Sequence, residues 1–176
     1  MAQVFVGVGS NIEPESNILC AAALLKQQVN VCAVSPFYLT DPIGPPGSGP
    51  FYNGCLEIET DIPPRKLKFE VLRPIETALG RRRTEDKYAP RTIDLDILLY
   101  DDRVIEEPDL KIPDPDITRR PFVAIPLLEL APELAMPDTG TKLAEIVLDL
   151  PGASMRLIPN FTSRLWQEVT NGSEQN

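Results

Sequence analysis

Nineteen prolines are spread through 176 residues, and no other feature limits the fold so strongly. Each one fixes φ and removes a backbone donor, so it belongs at the first turn of a helix, at a sheet edge or in a loop. The chain is thereby cut into short elements joined by long ordered loops. The densest run, Asp41 to Pro50, holds four prolines and three glycines, which excludes regular structure there.

The segments between the prolines show clear periodicities. Residues 3–9 read as a buried strand ending in a turn at Gly9-Ser10-Asn11. A helix is expected from Glu15 to Gln28, a strand over Val31 to Leu39 and another over Gly54 to Thr60. Pro63-Pro64 open a second helix that runs to Leu79, with Gly80 as its C-cap and a kink near Glu70 caused by Pro74. Residues 81–91 form a loop, and Thr92 to Tyr100 is a strand, followed by a turn at Asp101-Asp102 and a short return strand over Arg103 to Ile105. Further helices are expected at Phe122 to Leu130 and 142–150, with a last strand at Arg156 to Ile158. The order strand-helix-strand-strand-helix-strand is the split βαβ pattern. The expected fold class is α+β: a ferredoxin-like antiparallel sheet with helices packed on its faces. Residues 1–170 read as a single domain, and 171–176 as a disordered tail.

Composition narrows the function. A hydrophobic fraction of 43% and a charged fraction of 24% suit a globular core that needs no stapling. Three widely spaced cysteines, Cys20, Cys32 and Cys55, read as reduced thiols. With no signal-peptide shape and no long apolar run, the expectation is a cytoplasmic protein without membrane association, and a monomer. The net charge of −9 argues against a nucleic-acid binder. Residues 81–91 stand apart, with five basic side chains against two acids. One cationic segment in an acidic protein suits a small polyanion. Histidine is absent, so no imidazole can act as base, nucleophile or metal ligand.

The sharpest chemical feature is Thr92-Ile93-Asp94-Leu95-Asp96-Ile97-Leu98-Leu99-Tyr100. Strand alternation sends Asp94 and Asp96 to one face, about 7 Å apart along the strand. Such a pair can hold magnesium and leave coordination positions for phosphate oxygens. The alternative is the polar outer face of an antiparallel strand, which needs no metal. Arg81, Arg82, Arg83, Lys87 and Arg91 precede the pair, and the arginine fork suits phosphate. Cations offsetting a helix dipole would explain Arg81 to Arg83 but not Arg91. The common nucleotide signatures fail: Pro50-Phe51 follow the Gly44–Gly49 spacing where a Walker loop needs Lys and Ser/Thr, and Ile12 stands at the third glycine of a dinucleotide fingerprint. Phe51, Tyr52, Asn53 and Phe122 offer ring faces and an amide to a flat heteroaromatic ligand; alternatively, Phe122 is a core residue of its helix.

Val6-Gly7-Val8-Gly9-Ser10-Asn11, Ser35-Pro36-Phe37-Tyr38, Pro90 to Leu98 and Phe122 to Pro132 resemble the 6-hydroxymethyl-7,8-dihydropterin pyrophosphokinase family, in order over residues 3 to 138. The resemblance implies a magnesium-dependent diphosphotransferase of folate biosynthesis, with ATP and 6-hydroxymethyl-7,8-dihydropterin as substrates and two Mg²⁺ ions as cofactor. It implies that Asp94 and Asp96 bind the ions and that Arg81 and Arg91 are catalytic-loop arginines. Glu76, Arg83, Tyr88, Ile97, Asp114 and Arg120 match ATP-site positions. Thr40, Pro42, Ile43, Phe51, Asn53 and Phe122 match the pterin pocket. Two departures stand out. Asp114 occupies a position where the family usually has histidine, which implies weaker nucleotide binding, and Tyr88 replaces the usual tryptophan while keeping a stacking face. The remaining alternatives are a non-catalytic pterin-binding relative and an unrelated ferredoxin-like regulatory module; neither would release AMP.

Overall fold

The computed structural model describes residues 1–42 and 49–171. The expected tail from residue 172 onward and Ile43 lie outside the described residues. The main sheet is antiparallel with strand order β5-β1-β4-β3-β8. Its strands are β1 (Ala2–Ser10), β3 (Tyr38–Thr40), β4 (Phe51–Thr60), β5 (Asp94–Tyr100) and β8 (Met155–Leu157), and β2 (Asn30–Val34) joins β4 beside β3. With α1 (Pro14–Leu25) between β1 and β2, and helical residues 64–78 between β4 and β5, the first hundred residues are the expected ferredoxin-like α+β arrangement. Apolar side chains line both faces of the sheet. Val4, Val6 and Val8 meet α1 and the second helix on one face, and Phe5, Cys55 and Leu99 meet Ala124 and Leu127 of α4 (Pro121–Leu130) on the other.

The single strand expected over Val31 to Leu39 is broken into β2 and β3 at Ser35-Pro36-Phe37. Pro36 cannot donate to the ladder. Phe37 turns inward to full burial, edge-on to Phe161 with centroids 5.5 Å apart, and its N–H donates to Thr162 Oγ1 at 2.9 Å. Gly54 makes room for it, since a Cβ there would sit 2.4 Å from the Phe37 ring.

The kink expected from Pro74 takes the form of a change in helix type. α2 (Pro64–Lys66) passes into a π-helical stretch, Leu67–Leu72, before α3 (Arg73–Ala78). The Arg73 N–H reaches back five residues to the Lys68 carbonyl. Proline lacks the donor that would keep the four-residue ladder in register, and the wider turn absorbs the mismatch. Gly80 follows at φ 82°, the left-handed cap its type favours.

The return strand expected at Arg103 to Ile105 lies instead at β6 (Ile105–Glu107), which pairs with β7 (Leu110–Ile112) in a separate two-stranded sheet. A 3₁₀ turn, Pro115–Thr118, leads into α4, and α5 (Leu143–Asp149) follows. The sequence reading missed α6 (Pro159–Thr170) altogether. Its buried Phe161, Leu165 and Val169 recur every four residues and pack toward α1. Cys20, Cys32 and Cys55 are free thiols. Among the described residues, no helix is long and apolar enough to cross a membrane.

Candidate active site

Strand register builds the site. Gly9 of β1 lies opposite Asn53 of β4 on one side and Asp94 of β5 on the other, and Gly7 lies opposite Asp96. Residues in register share a face, so an amide, a glycine and a carboxylate form one row across three strands. The glycine in the middle leaves a trough. A Cβ on Gly9 would come within 2.9 Å of Asn53 Oδ1, and one on Gly7 within 3.1 Å of the Leu98 side chain.

That trough is the floor of a cleft of about 390 Å³. Thr40, Phe51, Asn53 and Phe122 line one part of it, and Tyr88, Arg91, Asp94, Asp96, Asp114 and Arg120 line the rest. Asn53 is held by a 2.7 Å bond from its Nδ2 to Thr40 Oγ1, which turns its Oδ1 toward the Gly9 side. The Arg91 guanidinium lies over the Phe51 ring, 5.9 Å from its centroid. A second cavity of about 350 Å³ is bounded by Lys68, Arg73, Ile97, Leu110 and Lys111, and it shares Asp96 and Asp114 with the first.

The two carboxylates of β5 have opposite environments. Burial alone would raise the Asp94 carboxyl, but Arg81 at 2.5 Å and Arg91 at 2.9 Å outweigh it and hold it below the usual range. Asp96 keeps solvent access at the bottom of the cleft, yet protein closes around it. That desolvation, with the charges of Asp94, Asp114 and Glu76, raises its carboxyl well above the ordinary value. Asp114 begins the 3₁₀ turn by accepting the Asp116 N–H at 2.8 Å. Burial and neighbouring Asp116 and Asp94 push its carboxyl up to about 6, against the lowering effect of that N–H.

Glu76, Arg81 and Arg83, expected to face ligand, line neither cavity. Glu76 is 3% exposed, pairs with Arg81 at 3.1 Å and Arg83 at 2.5 Å, and accepts the Leu95 N–H at 2.9 Å. Arg81 reaches the site only through Asp94. Pro42 stands beside the cleft residues Thr40 and Asp41 but does not line the cleft. Lys87 of the basic segment lines the first cavity, and the sequence reading missed Gly9, Asp41 and Asp116 there and Lys68, Arg73 and Lys111 in the second. Asn11 was quoted only within a motif. Its Oδ1 accepts the Arg91 N–H at 2.8 Å, which ties the basic loop to the end of β1.

The donor set suits a hard cation in part. Asp96 and Asp114 present carboxylate oxygens to the cleft, both Asp94 oxygens are engaged by Arg81 and Arg91, and among the described residues no cluster of three acids, cysteines or histidines could hold a metal alone. A cation here would draw its remaining ligands from water or from a bound phosphate, as magnesium commonly does.

The fold and the site define a small α+β sheet protein with an arginine-and-carboxylate cleft over the middle of its sheet. Residues 5–132 match the family model described as 7,8-dihydro-6-hydroxymethylpterin-pyrophosphokinase (HPPK). The chain is 37% identical over 160 residues to the 2-amino-4-hydroxy-6-hydroxymethyldihydropteridine pyrophosphokinase of Pseudomonas aeruginosa, covering 89% of this chain and 97% of that protein. It is 39% identical over 141 residues to the Bacillus subtilis protein of the same name, covering 78% of this chain and 83% of that one. The wild-type HPPK-DHPS crystal structure of Plasmodium falciparum shares the fold, with a TM-score of 0.60 at 14% identity over 84% of this chain; the match spans only 43% of that longer chain. The chain belongs to the HPPK family.

Proposed function

We infer that the chain transfers the pyrophosphoryl group of ATP to the hydroxyl of 6-hydroxymethyl-7,8-dihydropterin, releasing AMP, a step of folate biosynthesis. The observation that carries this reading is the cross-strand row of Asn53, Gly9 and Asp94, which sets a ring-reading amide and a phosphate-side carboxylate on either side of one trough. The pterin would lie between Phe51 and Phe122, with its N–H donors toward Asn53 Oδ1. The nucleoside would occupy the second cavity beside Ile97, its phosphates crossing Asp96 and Asp114 into the first.

Asp94 and Asp96 would hold two magnesium ions. When bound, magnesium neutralises phosphate charge and polarises the group under attack. The pterin oxygen forms a bond to the β-phosphorus as the bond to the α-phosphate oxygen breaks, and AMP leaves with that oxygen. Asp96 is the nearby carboxylate toward which the hydroxyl proton moves. Arg91 offsets charge on the transferred group, and Arg81 holds Asp94 in place. The loop over 81–91 would close over both ligands and exclude water, since an open site would hydrolyse ATP. We place the activity in the cytoplasm, with the chain acting as a monomer.

The test is direct. ATP, magnesium and the reduced pterin alcohol should yield AMP only when all three are present with the protein. Pterin binding without AMP release would leave a binding protein and remove the enzymatic reading.

Gly9→Ala gives a sharper check on the trough. Its methyl would push Asn53 Oδ1 out of the row, so the KM for the pterin should rise at least about tenfold, the scale of one lost ligand hydrogen bond. The KM for ATP should stay within about twofold. A matching rise in both constants would mean that the glycine serves the sheet and not the pterin.

A further inference from the structure

The outer wall of the second cavity is the β6–β7 hairpin, which does not belong to the main sheet. Its return strand is anchored by buried Leu110 and Ile112. Its tip, Pro108-Asp109, has no such anchor and lines the cavity together with Lys68 and Arg73. Arg65, at the start of the second helix, reaches over to that tip. Its Nη1 donates to Glu107 Oε2 at 2.7 Å and to Asp109 Oδ1 at 3.0 Å, and its Nη2 donates to Asp109 Oδ2 at 2.8 Å. Lys68 Nζ adds a bond to the Asp109 carbonyl. The Arg65 guanidinium also lies over the Phe69 ring, 5.0 Å from its centroid.

The two-pronged match of guanidinium to Asp109 carboxylate sets direction as well as distance. Arg65 itself lines neither cavity. Exposed ion pairs add little to global stability, so the consequence of this one is positional: together with the Lys68 bond it spans from the helix to the hairpin tip and sets the gap between them.

We propose that Arg65 is a positioning residue for the nucleotide: by gripping Glu107 and Asp109 it fixes the width of the second cavity and so the affinity for the nucleoside end of ATP. This rests on the nucleotide placement given above. It predicts that selectivity for one substrate over the other is tuned from a residue that touches neither.

The experiment measures the Kd of a non-hydrolysable ATP analogue with magnesium, by calorimetry without pterin, alongside steady-state turnover. Arg65→Ala should raise the Kd and the KM for ATP about fivefold, with kcat at saturating ATP and the KM for pterin unchanged. Arg65→Lys, a point charge without the fork, should recover less than half of the loss. In a Glu107→Ala/Asp109→Ala background, which removes every carboxylate that the guanidinium grips, Arg65→Ala should weaken binding no further. Unchanged analogue binding in Arg65→Ala overturns the proposal, as does a joint loss of ATP and pterin affinity, or an undiminished effect in the Glu107→Ala/Asp109→Ala background. A wild-type protein that binds the analogue but releases no AMP removes the proposed function while the Kd comparison still judges Arg65. A wild-type protein that does not bind the analogue removes both.

Discussion

Asp96→Asn should abolish turnover and, in the same molecule, raise the melting temperature of the ligand-free protein. The loss of activity follows from the chemistry. The substitution removes, at the point shared by both cavities, one of the two carboxylates proposed to hold magnesium, and charge stabilisation of several kcal/mol at phosphorus corresponds to a fall of about a thousandfold or more. The gain in stability follows from electrostatics. Desolvation and the charges of Asp94, Asp114 and Glu76 all disfavour ionised Asp96, and Arg81 opposes them only in part.

The sign with pH is fixed by that direction. A carboxyl raised in the folded state favours folding while protonated, and this contribution is lost as pH rises from the ordinary value of about 4 through the folded one. Asparagine carries no such penalty. The variant should therefore melt above wild type at pH 8 and level with it near pH 4. Adding magnesium and nucleotide should reverse the order, because only wild type gains full ligand stabilisation. A ligand-free Asp96→Asn protein that melts below wild type at pH 8 would mean that the carboxylate has a favourable partner, and the case for a cation would fall with it.

Local pattern announced some of this and tertiary arrangement hid the rest. Alternation in Thr92 to Tyr100 was enough to put Asp94 and Asp96 on one face, because a strand has period two whatever surrounds it. Gly9 could not be recognised as the floor of the trough, since its role depends on which residues of β4 and β5 stand opposite. Lys68 and Arg73 look like ordinary solvated helix charges until the β6–β7 hairpin is brought over them. The break at Ser35-Pro36-Phe37 was written in Pro36, but a β-rich run with one proline reads equally as an edge strand. α6 was legible and was missed: Phe161, Leu165 and Val169 give a one-sided stripe, diluted by the polar residues between them. The arginines divide in the fold in a way their sequence positions do not announce: both pair with Asp94, but Arg91 also lines the cleft while Arg81 also pairs with buried Glu76.

Glu76 is where that division has its largest consequence for stability. Glu76→Gln should destabilise the protein by about 3 kcal/mol, the lower end for removing one partner of a buried ion pair, which is about 6–12 °C in melting temperature for a domain of this size. The amide oxygen can still accept the Leu95 N–H, so the start of β5 remains bonded. What disappears is the charge facing Arg81, whose side chain is 12% exposed and would keep Asp94 as its counter-charge beside the Ile93 carbonyl. Arg83 is half exposed and can turn to water, so its share of the cost is small. Relief at Asp96, which Glu76 now repels, offsets part of the loss. Glu76→Ala should cost more, up to about 5 kcal/mol, because it also strands a buried N–H. Urea titration measures both variants, and turnover of the folded fraction should fall about tenfold or more as Arg81 loses its fixed position. A residue that contacts ATP directly would behave in the opposite way, shifting the KM for ATP while the ligand-free protein unfolds at the wild-type urea concentration. That outcome would return Glu76 to the nucleotide site and leave Arg81 without the buried charge that aims it at Asp94.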